Sequence, residues 1–270
     1  MNDMTDQELN LFIDLVKEHT GIKMHQGKKM LLVNRLNKRM RTLGMDRYRE
    51  YYNFVADPLK GKDEVFNFID AVTTNETYFY RAPKVWDFFQ NDFLVNWRKD
   101  NPTGKLKIWS AASSSGEEPY TIALCCAEFE KKDKGFSWQE EASDISDQMI
   151  KLCNEGRYKG RAIENVPKPQ LKEYFEKIDE EWFRVQASLK RKVKFFKHKL
   201  QDKPKGSGYD IIFLRNVMIY FEKDTKALIL EHMSNALKPN GILVIGESEG
   251  LIGVEHDFKF YKPSVYQKKE

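Results

Sequence analysis

WSAASSSGEEPYT, residues 109–121, is the stretch whose reading decides the fold. It follows a short apolar run, Leu106-Lys107-Ile108-Trp109, and precedes an apolar helical run, Ile122-Ala123-Leu124-Cys125-Cys126-Ala127. A strand that breaks into a turn of Ala, Ser and Gly and then opens a helix is how open α/β sheets hold nucleotide-like ligands. Small residues let the backbone approach the ligand, and the helix start supplies unpaired N–H donors. Two carboxylates, Glu117 and Glu118, follow the turn. They repel a pyrophosphate and favour ammonium, sulfonium or ribose hydroxyl groups. S-adenosylmethionine carries all three, so the turn favours a methyl donor over NAD or ATP.

Working outward, strands are expected at 105–110, in a stretch ending at Asp144, and at 192–197, 209–215 and 241–246, with closing strands at 258–267. Helices are expected between them at 117–131, 146–155 and 223–237. This alternation predicts an α/β fold, a Rossmann-like and mostly parallel sheet with helices on both faces. Residues 158–191 break the rhythm with Pro167, Pro169 and an alternating run from Glu181 to Gln186, which predicts a small β-rich insertion. Ser137-Trp138-Gln139-Glu140-Glu141 is more polar than a buried parallel strand should be, which predicts a frayed, edge-exposed or shortened second strand.

The preceding residues read as helices. Thr5 and Glu8 form a capping-box pattern ahead of Leu9, Phe12, Ile13, Leu15 and Val16, and Gly21 ends the run. A second helix over 28–43 has Met30, Val33, Leu36, Met40 and Leu43 on its apolar face and Lys28, Arg35, Lys38, Arg39 and Arg41 on the other, with Gly44 as its stop. Further helices are expected at 48–55 and 64–71. The expected division is a helical N-terminal domain over 1–72 and a sheet domain over 73–270.

Composition narrows the function classes. The 270 residues are 41% hydrophobic, ordinary for a globular protein. No apolar run approaches the roughly 18 residues of a membrane span. The polar, acidic start MNDMTDQELN does not read as a secretory signal. Cys125, Cys126 and Cys153 lack metal-ligand spacing, and an odd count argues against a disulfide framework, so reduced, buried thiols in a cytoplasmic protein are expected. A net charge of +4 decides nothing by itself.

Four segments taken in order resemble the CheR-type chemotaxis receptor methyltransferases. They are Thr73-Thr74-Asn75-Glu76-Thr77-Tyr78-Phe79-Tyr80-Arg81, the WSAASSSGEEPY turn, Ala142-Ser143-Asp144-Ile145, and Leu214-Arg215-Asn216-Val217-Met218-Ile219-Tyr220-Phe221 with Leu237-Lys238-Pro239-Asn240-Gly241 after it. The resemblance implies a Rossmann-like S-adenosylmethionine-dependent methyltransferase domain that methylates glutamate side chains on the cytoplasmic helices of chemoreceptors, giving methyl esters and S-adenosylhomocysteine. It implies Asn75, Thr77, Arg81, Glu118, Asp144, Leu200, Asn216 and Val217 as cofactor-side positions, Arg81 and Tyr220 as candidates for the chemistry, and the basic second helix, with Arg35, Lys38 and Arg39, as the receptor-docking element. No metal, nucleic acid or membrane insertion is implied, and a monomer is expected. The chain departs from the family pattern at Ala82-Pro83, at Ser146 and at Lys199, and its insertion lacks the glycine-rich loop of members that tether to a receptor tail, so no tethering is expected.

Each position also has a plainer role. Asp144 is a possible cap for the helix at 146–155, and Asn216 a turn former. Glu117 and Glu118 both suit a helix N-terminus; for Glu117 that reading is preferred. Tyr220 is a possible core aromatic, and the basic helix a solvated face. Two other classes compete. A nucleic-acid methyltransferase is disfavoured because the fourth strand ends in Asn216-Val217-Met218 without the prolines of amino-methylating DNA enzymes. A non-enzymatic sensor is disfavoured by the presence of Arg81, Asp144 and Tyr220 together.

Overall fold

The computed structural model describes residues 3–61, 63–73 and 76–269. Four helices come first: α1 (Asp6–Thr20), α2 (Lys29–Thr42), α3 (Tyr48–Ala56) and α4 (Glu64–Val72). The capping box forms as the sequence predicts, with the Glu8 amide donating to Thr5 Oγ1 and the Thr5 amide donating to the Glu8 carboxylate. Gly21 ends α1 in the left-handed region, at φ 72°. Phe12 is fully buried among the rings of Tyr48, Tyr51, Tyr52 and Phe68, so one aromatic cluster binds α1 to α3 and α4. On α2 the buried residues are Leu32, Leu36 and Met40. Met30, expected on the apolar face, is 68% exposed.

A bent helical passage follows: α5 (Pro83–Asp87), a π-helical stretch at Phe88–Phe93, and α6 (Leu94–Asp100). The sheet region then runs β1 (Lys105–Ala111), α7 (Glu117–Lys132), β2 (Ser137–Asp144), α8 (Asp147–Glu155), β3 (Arg157–Lys159), α9 (Lys168–Tyr174), β4 (Phe175–Lys177), β5 (Trp182–Val185), α10 (Ala187–Lys190), β6 (Val193–Lys197), β7 (Tyr209–Leu214), α11 (Lys223–Ala236), β8 (Leu237–Ile245), β9 (Phe258–Lys262) and β10 (Val265–Lys268). The main sheet has the order β6-β2-β1-β7-β8-β10-β9. Its first five strands are parallel and its last two pair antiparallel. The chain order reverses between β1 and β7, and ligands of open α/β sheets bind at such a switch point, outside the carboxyl ends of the strands. The insertion is a separate sheet of order β3-β5-β4.

The second strand corrects an expectation. β2 is neither frayed nor at the edge: it pairs with β1 from Ser137 to Ser143 and with β6 from Glu140 to Asp144, and β6 is the edge strand. Its polar residues are absorbed individually. Glu141 accepts from the Tyr209 hydroxyl and from Lys194. Glu140 is 1% exposed, and neither of its carboxyl oxygens has a partner among the described residues. Burial pushes this carboxyl well above the usual carboxylate range, with the Glu118 carboxylate adding to the shift.

Candidate active site

The turn after β1 is closed by its own backbone. Ala112 and Ser114 take positive φ, at 76° and 49°, as does Gly116 at 100°. The amides of Ala112 and Ser113 both donate to the Ser143 carbonyl at the end of β2, each at 2.8 Å. A methyl group on Gly116 would sit 2.7 Å from the Tyr158 hydroxyl and 3.1 Å from Cys153 Sγ, so both the conformation and the space require glycine there.

Asp144 braces this turn. Its carboxylate accepts the Ser114 amide at 2.8 Å and the Ser146 amide at 3.0 Å. Burial raises its pKa, while those two amides pull it back. Asp144 is not the cap of α8: Ser146 is, through Oγ accepting the Met149 amide at 3.0 Å. Ser146 Oγ also donates to Asp70 of α4, which joins the helical region to the same corner. The residue that departs from the family pattern therefore has a structural task here.

Glu118 receives Ser110 Oγ at 2.9 Å and Arg215 Nη1 at 2.9 Å. Burial pushes its carboxyl up, opposed chiefly by the Arg215 guanidinium. Glu117 points elsewhere: it is 4% exposed, takes a 2.7 Å bond from Ser115 Oγ, and is pushed by burial to about 7. It stands in the first turn of α7, as the helix-start reading has it, and is buried there.

Arg81 lies between two non-glycine residues of positive φ, Tyr80 at 57° and Ala82 at 62°. Such strained backbone persists only where its surroundings hold it. Here the Arg81 carbonyl is gripped by Arg215 Nη2 and by Trp86 Nε1, both at 2.8 Å. The Arg81 side chain donates to the Glu76 carbonyl at 2.8 Å and lies over the Tyr78 ring at 5.9 Å.

These residues line one cavity of about 350 Å³. Its wall is built from residues just beyond the carboxyl ends of the strands: Ala112 to Ser114 after β1, Asp144 and Ile145 at β2, His198, Leu200 and Gln201 after β6, and Arg215 to Val217 with Tyr220 after β7. Thr77, Arg81 and Glu118 line it as well. Asn216 adopts a positive φ of 58°. Asn75 lies outside the described residues. Thr20 and Ile22, at the end of α1, also line the cavity, and Gln201 Nε2 donates to the Thr20 carbonyl at 2.9 Å. Sequence reading missed Thr20, Ile22, His198, Gln201 and Arg215. Only Arg215 carried a usable signal, as a charged residue directly after the apolar run Ile211-Ile212-Phe213-Leu214.

The cavity fits S-adenosylmethionine. The carboxylates of Glu118 and Asp144 belong to a mixed polar and apolar wall and are acceptors suited to ammonium and ribose hydroxyl groups. His198 Nε2 and Arg215 Nε are buried with no partner among the described residues, and both residues belong to this wall. Buried polar atoms in this state call for a ligand or ordered water. Among the described residues no group of His, Cys, Asp and Glu is placed to hold a metal ion.

The basic helix is partly engaged within the chain itself. Arg39 makes a two-pronged bond to the buried Glu64 through Nε at 2.7 Å and Nη2 at 2.5 Å. Arg35 Nη1 donates to the carbonyls of Val72 at 2.6 Å and Thr73 at 2.9 Å. Arg39 therefore holds α2 to the start of α4 and Arg35 holds it to the end, and of the three expected docking residues only Lys38 stands exposed.

The family comparisons agree with this geometry. Residues 7–73 match the CheR methyltransferase all-alpha domain and residues 75–267 the CheR methyltransferase SAM binding domain. The chain is 34% identical to a chemotaxis protein methyltransferase of Borreliella burgdorferi, over 98% of this chain and 95% of the relative. It is 34% identical to chemotaxis protein methyltransferase Cher2 of Pseudomonas putida, over 92% and 93% respectively. It is 31% identical to the chemotaxis protein methyltransferase of Escherichia coli, over 97% and 91%. No helix among the described residues is long and apolar enough to cross a membrane. With the sheet order, the switch-point cavity and both domain matches in agreement, this chain belongs to the CheR family of S-adenosylmethionine-dependent chemotaxis protein methyltransferases.

Proposed function

We propose that this chain transfers a methyl group from S-adenosylmethionine to glutamate carboxylates on the cytoplasmic helices of chemoreceptors, leaving glutamate methyl esters and S-adenosylhomocysteine. The observation that supports this most is that one cavity gathers Arg81 and Tyr220 with Glu118, Asp144 and Asn216. In this reading Thr77, Glu118, Asp144, Leu200, Asn216 and Val217 hold the donor, and Asn75 joins them by family resemblance. When bound, the donor supplies an electrophilic methyl on a sulfonium.

The remaining chemistry belongs to the chain. The nucleophile is a carboxylate, already ionised near neutral pH, so no general base is required. What is required is orientation, and a guanidinium presents a planar fork of donors suited to a carboxylate. Arg81 already donates to one carbonyl oxygen, that of Glu76, an acceptor an incoming carboxylate can replace. Charge is neutralised as carboxylate and sulfonium react, so strong stabilisation of the separated ions would slow the step. Arg81 therefore positions more than it stabilises. Tyr220 lines the same wall. On α2, Lys38 and Arg41 remain exposed to meet an acidic receptor helix by electrostatic steering. The reading places the protein in the cytoplasm as a monomer.

The test is methyl transfer from labelled donor to chemoreceptor-containing membranes. Label released by mild base and lost in Arg81→Ala is the expected result. Base-stable label would mean nitrogen methylation and would overturn the ester assignment.

A further inference from the structure

We propose that Glu249, in the turn after β8, is a positioning residue of the methyl-transfer site. Its carboxylate gathers the ends of β7 and β8 and fixes the 216–220 segment; this rests on the reading that 216–220 forms one wall of that site. Oε2 accepts the amides of Gly246 at 2.6 Å and Asn216 at 2.8 Å. Oε1 accepts those of Met218 at 2.8 Å and Ile219 at 3.3 Å.

The arrangement answers a backbone problem. The β7–β8 ladder ends at the pair Leu214 and Ile245. Beyond it, Asn216 turns into the left-handed region and Met218–Tyr220 forms a short 3-10 turn with no side-chain cap at its own start. The amides of such a start are unsatisfied unless something reaches them. Glu249 supplies that acceptor from the neighbouring strand end, and charge-assisted bonds of this kind are stronger than neutral ones. The approach is close: a methyl on Gly246 would lie 2.6 Å from Glu249 Oε2 and 2.7 Å from Asn216 Nδ2.

Glu249 does not itself line the cavity, whereas Asn216, Val217, Ile219 and Tyr220 do, as does its neighbour Ser248. It acts through the segment it holds. In Glu249→Gln one oxygen becomes an N–H donor, so two of the four amides lose their acceptor.

The test is calorimetric binding of S-adenosylhomocysteine to the full chain, with thermal melting alongside. Wild type binds, and Glu249→Gln weakens binding roughly tenfold, the equivalent of about one charge-assisted hydrogen bond. Gly246→Ala, which pushes the carboxylate away without removing it, weakens binding in the same direction. Asn216→Ala combined with Glu249→Gln is no weaker than the weaker single variant by more than about twofold, because both act through one segment. Additive losses, or a lowered melting temperature with unchanged affinity in both single variants, overturn the proposal. No binding by wild type overturns the site reading beneath it.

Discussion

Arg215 ties the backbone of Arg81 to the side chain of Glu118. One guanidinium nitrogen donates to the Arg81 carbonyl at 2.8 Å and the other to Glu118 Oε2 at 2.9 Å. The guanidinium lies over the Trp86 ring at 5.3 Å, and the Arg215 and Glu118 side chains are only 2% and 12% exposed. A single buried cation thus sets the spacing between the residue assigned to the substrate carboxylate and one assigned to the donor.

Arg215→Lys keeps the charge but cannot span both acceptors, because an ammonium is a compact point donor. Methyl transfer should fall by about two orders of magnitude, the cost of a misplacement near 1 Å. Arg215→Ala strands Glu118 as well and should destabilise the fold by about 3–5 kcal/mol. Steady-state kinetics and urea unfolding check the two effects separately.

Glu117 gives stability a pH dependence. Its ordinary pKa is 4.5 and burial raises it to about 7 in the folded chain. The folded state therefore binds more protons across that interval, so stability falls as pH rises through it, by about 3 kcal/mol in all. Glu117→Gln should remove this part of the slope between pH 4.5 and 7. Urea unfolding across the interval, for wild type and variant, measures it; parallel profiles would refute the assignment.

Gly21→Ala probes the seam between α1 and the sheet. The added methyl would lie 1.8 Å from Gln201 Nε2, in a backbone conformation of φ +72°. The conformation alone costs about 1–2 kcal/mol. Displacing Gln201, a cavity-wall residue, should also weaken S-adenosylhomocysteine binding. Glycine at the end of an exposed helix would give only the stability loss.

The basic residues of α2 should separate into two groups. Lys38→Glu and Arg41→Glu should raise the KM for receptor, most strongly at low salt, while leaving S-adenosylhomocysteine affinity unchanged. Arg39→Ala should instead lower stability by about 3 kcal/mol, since it leaves Glu64 buried without its main partner. Kinetics at two ionic strengths and urea unfolding distinguish the groups.

Much of the fold was legible because its signals are local. The turn at 109–121, the Thr5 cap and the Gly21 stop each depend on neighbours in sequence, and the alternation after residue 105 reports burial directly. Asp144 and Asn216 were legible as strand-end residues. What was not legible depends on distant partners. Arg35 and Arg39 look like a solvated basic face until Val72, Thr73 and Glu64 come within reach. Arg215 holds Glu118 and the Arg81 carbonyl, and Glu249 holds the amides of Asn216, Met218 and Ile219, partners 30 to 134 residues away that no local pattern joins to them. β2 read as too polar because Glu140, a buried acid with no partner among the described residues, carries a penalty no pattern anticipates.

Thr20 and Ile22 belong to the helical region, yet they complete a cavity whose other walls come from the sheet. With the donor in this cavity, as proposed, its affinity depends on how α1 is seated, and α1 packs in the same helical core as α2, whose exposed face is proposed to meet the receptor. Linkage makes any such dependence mutual: whatever factor receptor contact imposes on donor affinity, the donor imposes on receptor affinity. A fragment restricted to residues 75–267 would lack that wall, and with it, in the proposed reading, the contact through which receptor and donor occupancy are linked.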